Sequence, residues 1–242
     1  MSDLKPFELL IVIVGQSLVL LTLIGLVVRR HVNTCPTFTL YLLAVLATDG
    51  LLLLDSFDTL SFWWHKEILL TVLKLLVAFE LISRAFARFP GARATAYRVT
   101  GLVLGLTLVT VIWLAAGWQI DTTGLQDRAV AARIVSEFHP RLVTATTLLF
   151  VAIAALVLWY RLPVESMQKA ILIGFVPFLI FFYMVLELQA ANLWPKGGWL
   201  ASLNTWAWPL LLGYWAHSAW QPFRETIPRG RSPVHAIQGS AG

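Results

Sequence analysis

Four ionisable side chains, Asp49, Lys74, Glu80 and Arg84, stand within stretches otherwise apolar enough to lie in a bilayer. At the middle of a membrane a charged side chain costs roughly 2.5–3.5 kcal/mol on insertion scales, so each needs a counter-charge, a hydrogen-bonding partner or water. The chemistry open to such groups is narrow. It comprises an ion pair that fixes helix register, a proton or ion path, and a counter-ion for a charged ligand.

Asp49 and Lys74 belong to neighbouring segments that run in opposite directions. Counting about 1.5 Å per residue from the ends of those segments puts both at one level of a core about 30 Å thick, so they are expected to face each other as a pair. Glu80 precedes Arg84 by four residues, the favourable order for a pair along one helix. Lys74 and Glu80 lie about 120° apart around that helix, which therefore needs neighbours on at least two sides.

Other constellations are weaker. Asp55, Asp58, His65 and Glu67 precede the charged segment and have ligand chemistry suited to a metal, but their composition is equally that of an ordinary loop. His31 and His217 fall toward one side and His65 and His139 toward the other, a superficial likeness to paired haem ligands that fails because His31 and His65 sit in loops and His139 precedes its segment. No metal or cofactor is expected. HExxH, GxSxG, Walker and GxGxxG patterns are absent, and Gly15, Gln16 and Ser17 start a nucleophile elbow that Val19 does not complete. The last apolar segment has no lysine, as a retinal protein would require. Cys35 is the sole cysteine, so no intrachain disulfide can form.

These residues are positioned by long apolar runs. The chain is 58% hydrophobic and 13% charged, well outside the range of soluble domains. Some 20 residues span the hydrocarbon, and seven segments qualify: Phe7 to Val28, Pro36 to Leu54, Ile68 to Phe89, Tyr97 to Trp118, Leu142 to Tyr160, Met167 to Leu188 and Trp199 to Trp220. The fold class is thus all-α, a polytopic seven-transmembrane-helix bundle, with residues 1–221 as one domain and 222–242 as a disordered cytoplasmic tail rich in Pro, Gly and Ser.

Eleven Lys and Arg fall on the side of the first, third and fifth loops and the tail, against six on the other side, which predicts the amino terminus outside and the carboxyl terminus inside. Trp63, Trp64, Trp118, Trp194 and Trp199 are expected at the outer interface, and Trp159, Trp215 and Trp220 at the inner one. A short outer amphipathic helix, opened by a Thr123 to Gln126 capping box and bent at Pro140, is expected before the fifth crossing. Gly101 and Gly105 form a GxxxG pair that would admit a close helix. Asp49, Lys74 and Glu80 have no counterparts in the later half, so a repeated transporter plan finds little support.

The function expected is non-catalytic: a sensory or receptor-like module, or the membrane subunit of a larger assembly, in the cytoplasmic membrane. Its partners would be the lipid bilayer and a protein at the basic cytoplasmic loops, and not nucleic acid, because the excess of Lys and Arg marks a membrane side. The alternative is a small transporter or channel using a polar route along Asp49, Lys74 and Glu80.

Overall fold

The computed structural model describes residues 6–52, 60–86, 98, 101, 105, 127–159, 164–190 and 199–222. Among these there are six α-helices and no strand: α1 Pro6–Val28, α2 Pro36–Leu52, α3 Leu60–Ala85, α4 Asp127–Trp159, α5 Ser166–Ala190 and α6 Trp199–Trp220. A 3-10 turn, His31–Asn33, joins α1 to α2.

Prolines stand at the first positions of α1 and α2, where the missing N–H would have had no helical partner. Arg30, between α1 and the 3-10 turn, takes the left-handed conformation, φ 57° and ψ 22°, and so turns the chain back toward α2. Hydroxyls inside the helices bond to carbonyls one turn earlier, as Thr22 does to Leu18, Thr48 to Ala44 and Thr147 to Val143. A small polar side chain is thereby satisfied without a second helix.

The six described helices pack in chain order, each on the next described one, and α6 returns to α1. One end of the bundle is basic, with Arg29, Arg30, Arg84 and Lys169 at or just beyond helix ends. Inside the basic half lies an aromatic core. Trp215 of α6 meets Phe38 of α2 edge-on at 5.0 Å and Phe175 of α5 at 4.7 Å, while Phe150 of α4 lies 4.8 Å from Phe175. All four are fully buried. Gly174 makes this fit possible, because a Cβ there would collide with Trp215 Nε1 and stand 2.7 Å from Leu211 Cδ1.

Outward faces are apolar as well. Ile13, Val27, Leu40, Leu148, Leu158, Ile173, Met184 and Leu210 are among the exposed large side chains. Two of the described helices, over Leu10–Val28 and Ser166–Leu188, are long and apolar enough to cross a membrane, and shorter apolar stretches occupy Pro36–Leu51 and Val143–Trp159. The exposed apolar side chains and these two helices support a membrane location.

Several sequence expectations change. The third helix begins at Leu60, not Ile68, so Lys66 and Glu67 are helical residues. Among the described residues the expected outer amphipathic helix is not separate: α4 runs without a break from Asp127 through Pro140 to Trp159, the capping box lying outside the described residues. Pro140 removes one hydrogen bond from a helix of 33 residues, too little to end it. Trp215, expected at an interface, is in the core because its whole indole fits over Gly174. Among the described residues no atom lies within 4 Å of a Cβ at Gly101 or Gly105, whose chain neighbours lie outside the described residues, whereas Gly25 does bring helices together, its Cβ position 3.0 Å from Trp220 and 3.1 Å from Ala219. The rest of the expected fourth crossing, the tail from residue 223, and Asp55 and Asp58 lie outside the described residues.

Candidate functional site

Two contacts between α2 and α3 set their register. Near the basic end, Glu80 Oε2 accepts the backbone N–H of Thr37 at 2.9 Å and also the Thr37 hydroxyl. Farther along, Asp49 Oδ1 forms a salt bridge with Lys66, and Gln16 of α1 donates to Asp49 Oδ2 at 3.1 Å. Levels in an antiparallel pair follow from these two anchors. Lys74, eight residues from Lys66, sits about 12 Å nearer the basic end and opposite the turn from Tyr41 to Val45.

The expected pairing of Asp49 with Lys74 is therefore replaced by Asp49 with Lys66. The reason is the earlier start of α3. Measured from Ile68, Lys74 falls at the depth of Asp49; measured from Leu60, that depth belongs to Lys66.

Asp49 and Lys74 nonetheless share a space. A cavity of about 310 Å³ opens within the half of the bundle away from the basic end and reaches both residues. Its polar lining comes from Tyr41 and Asp49 of α2, Lys66, Glu67, Thr71 and Lys74 of α3, and Thr146 of α4. Its aromatic wall comes from Phe178 and Phe182 of α5, stacked 6.0 Å apart, and Trp208 of α6, 5.4 Å from Phe178. Asp49 and Lys66 keep 24% and 11% of their side-chain surface accessible, which shows that their ion pair is not sealed in the core.

Lys74 differs from the other charges. Among the described residues it has no hydrogen bond and no close ion pair, and the charged groups acting on it are Glu67 and Lys66. It is partly buried and lines the cavity. An ammonium there, acted on by Glu67 but hydrogen-bonded to no described residue, presents unspent donor capacity to whatever fills the space.

Glu80 and Arg84 pair along α3 at 2.9 Å as their spacing predicts. Arg84 Nη2 also donates to the Asn33 carbonyl at 2.9 Å. Glu80 does more than answer Arg84, since its carboxylate receives the first turn of α2, where free N–H groups and the helix dipole favour negative charge. It does not line the cavity. Asp49 and Lys74 are brought together in one space, and Glu80 and Arg84 belong to a separate brace at the basic end.

The histidines at that end have local partners. His31 is buried with Nε2 3.4 Å from the Gln221 carbonyl, and Gln221 Nε2 lies 3.1 Å from His217 Nε2. Of the weak metal candidates, His65 is exposed and Glu67 faces the cavity. Among the described residues no three His, Cys, Asp or Glu side chains gather as a metal site would require. Cys35 is buried beside the turn, and burial, with the nearby Glu80 charge, pushes its thiol well above the usual range.

Sequence reasoning missed Gln16, Tyr41, Lys66, Thr71 and Thr146 as members of one site. Lys66 and Glu67 had a readable signal, because Phe62, Trp63 and Trp64 extend the apolar pattern of the third segment back across them. The aromatic wall had none, since Phe and Trp are equally suited to core and to lipid. No protein-family model, curated protein or solved structure matches this chain.

Proposed function

We propose that the chain is a seven-helix integral membrane protein of the cytoplasmic membrane, amino terminus outside, that works as a receptor-like module. The apolar sequence from Tyr97 to Trp118, most of it outside the described residues, is what raises the count to seven, and the basic end faces the cytoplasm by the charge distribution. A small ligand enters the cavity from the outer side, and its binding is passed to a protein partner at the basic inner loops. The cavity lined by Asp49, Lys66, Glu67 and Lys74 is the single observation that carries this reading. Ligand sites between helices of bundles have this make-up, aromatic walls with a few convergent polar groups.

The packing beneath the cavity favours a receptor over a transporter. Phe38, Phe150, Phe175 and Trp215 close the inner half, and Glu80, which a polar route would need, is engaged by Thr37 and Arg84. Cysteine accessibility tests the proposal. In a Cys35→Ala background, Thr71→Cys should react in intact cells with a membrane-impermeant maleimide added outside. Labelling only from the cytoplasmic side, or none in well-folded protein, would refute it.

A further inference from the structure

The cavity has a polar floor, a flat wall and a charged mouth. Lys74 and Tyr41 lie deepest, Phe178, Phe182 and Trp208 form the wall, and the Asp49–Lys66 pair stands about 12 Å outward. At roughly 30 Å³ per non-hydrogen atom, the volume of about 310 Å³ holds a molecule of about ten such atoms. Asp49 is matched by Lys66, and Glu67 acts on Lys74 through space, but the deep ammonium has no hydrogen bond or salt bridge among the described residues and keeps its donors. We infer that the cavity binds a small aromatic carboxylate, its carboxyl group on Lys74 and its ring against Phe178, Phe182 and Trp208.

The chemistry is specific in three respects. A carboxylate supplies acceptors to an ammonium whose three donors are otherwise unused, and the interaction is strengthened by the low dielectric of the bundle. A flat ring suits the wall better than a branched chain, because Phe178, Phe182 and Trp208 all line the cavity and offer ring edges and faces on which an aromatic ligand can pack. Cations are disfavoured at the floor by Lys74 itself. The neighbouring hydroxyls of Tyr41 and Thr71 offer further donors at the same depth.

This inference rests on the receptor-like reading of the cavity, and its test separates the two. The full-length protein in lipid nanodiscs is titrated with phenylacetate, with the isosteric neutral phenylacetamide and with the cationic phenethylamine, and tryptophan fluorescence is followed. Phenylacetate should give a saturable change that Trp208→Phe abolishes. Phenylacetamide should bind at least tenfold more weakly. Lys74→Met should accumulate normally and lose phenylacetate affinity at least tenfold, and Lys74→Arg should retain most of it. Equal binding of acid and amide overturns the inference whatever the variants do, as does unchanged affinity in Lys74→Met. If no acid binds while Thr71→Cys is labelled from outside, or if only phenethylamine binds, the anion assignment fails and the ligand-binding cavity stands. If Thr71→Cys is never labelled, the cavity reading fails and takes the inference with it.

Discussion

The carboxylate of Glu80 on α3 receives the backbone N–H of Thr37 on α2 at 2.9 Å, so a side chain of one helix completes the first turn of another. Glu80→Ala should remove this bond, the Thr37 hydroxyl bond and the Arg84 pair together, at a cost of about 2–3 kcal/mol. A thermal midpoint followed by size-exclusion chromatography in detergent should drop clearly. Arg84→Ala, whose guanidinium is partly exposed, should lower it much less. Equal losses in the two variants would mean that the ion pair, not the helix-end contact, is what Glu80 contributes.

The register of α2 against α3 makes Lys66 the partner of Asp49. Asp49→Asn and Lys66→Met should each reduce accumulation, and the double variant should recover part of the loss, a coupling of about 0.5–3 kcal/mol. Lys74→Met should not rescue Asp49→Asn. Rescue by Lys74→Met and not by Lys66→Met would restore the pairing that segment counting alone predicts.

Gly174 tests the aromatic core. Gly174→Ala pushes a methyl group into Trp215 and Leu211 within a fully buried cluster and should cost about 1–3 kcal/mol. Trp215→Phe removes the indole nitrogen against which that methyl collides, so the double variant should lose less than the sum of the two single changes.

Cys35 should resist modification in the native protein. Its raised pKa keeps the thiol protonated at pH 8, and burial blocks approach. A maleimide reporter should label it only after denaturation in SDS. Labelling of native protein at a rate comparable to a free thiol would mean that the turn between α1 and α2 opens.

The helical class was legible because long apolar runs leave few alternatives, and the Glu80–Arg84 pair because spacing along one helix is a local property. The Asp49 partner was not legible. It depends on where α3 starts, and the residues from Leu60 to Glu67 mix aromatic, polar and charged side chains in a way that suits a loop, an interfacial helix or an extended crossing. Eight residues of helix shift the level by about 12 Å, enough to exchange one lysine for another. Trp215 was misplaced for a different reason: an interfacial indole and a core indole have the same sequence signature, and only the facing Gly174 distinguishes them.

The order of helix packing carries a consequence for biogenesis. Every helix but the first packs on the one made just before it among the described elements, so five of the six neighbour contacts can form as the chain emerges. Such local pairing keeps contact order low and limits the time that unmatched surfaces wait for partners. The exception is the seam between α1 and α6, where Trp220 Nε1 donates to the Leu21 carbonyl and His31 meets Gln221. Nascent α1 must therefore be held unpaired on that side until the last helix is synthesised, which makes the seam the step most exposed to premature release or to capture by a neighbouring chain.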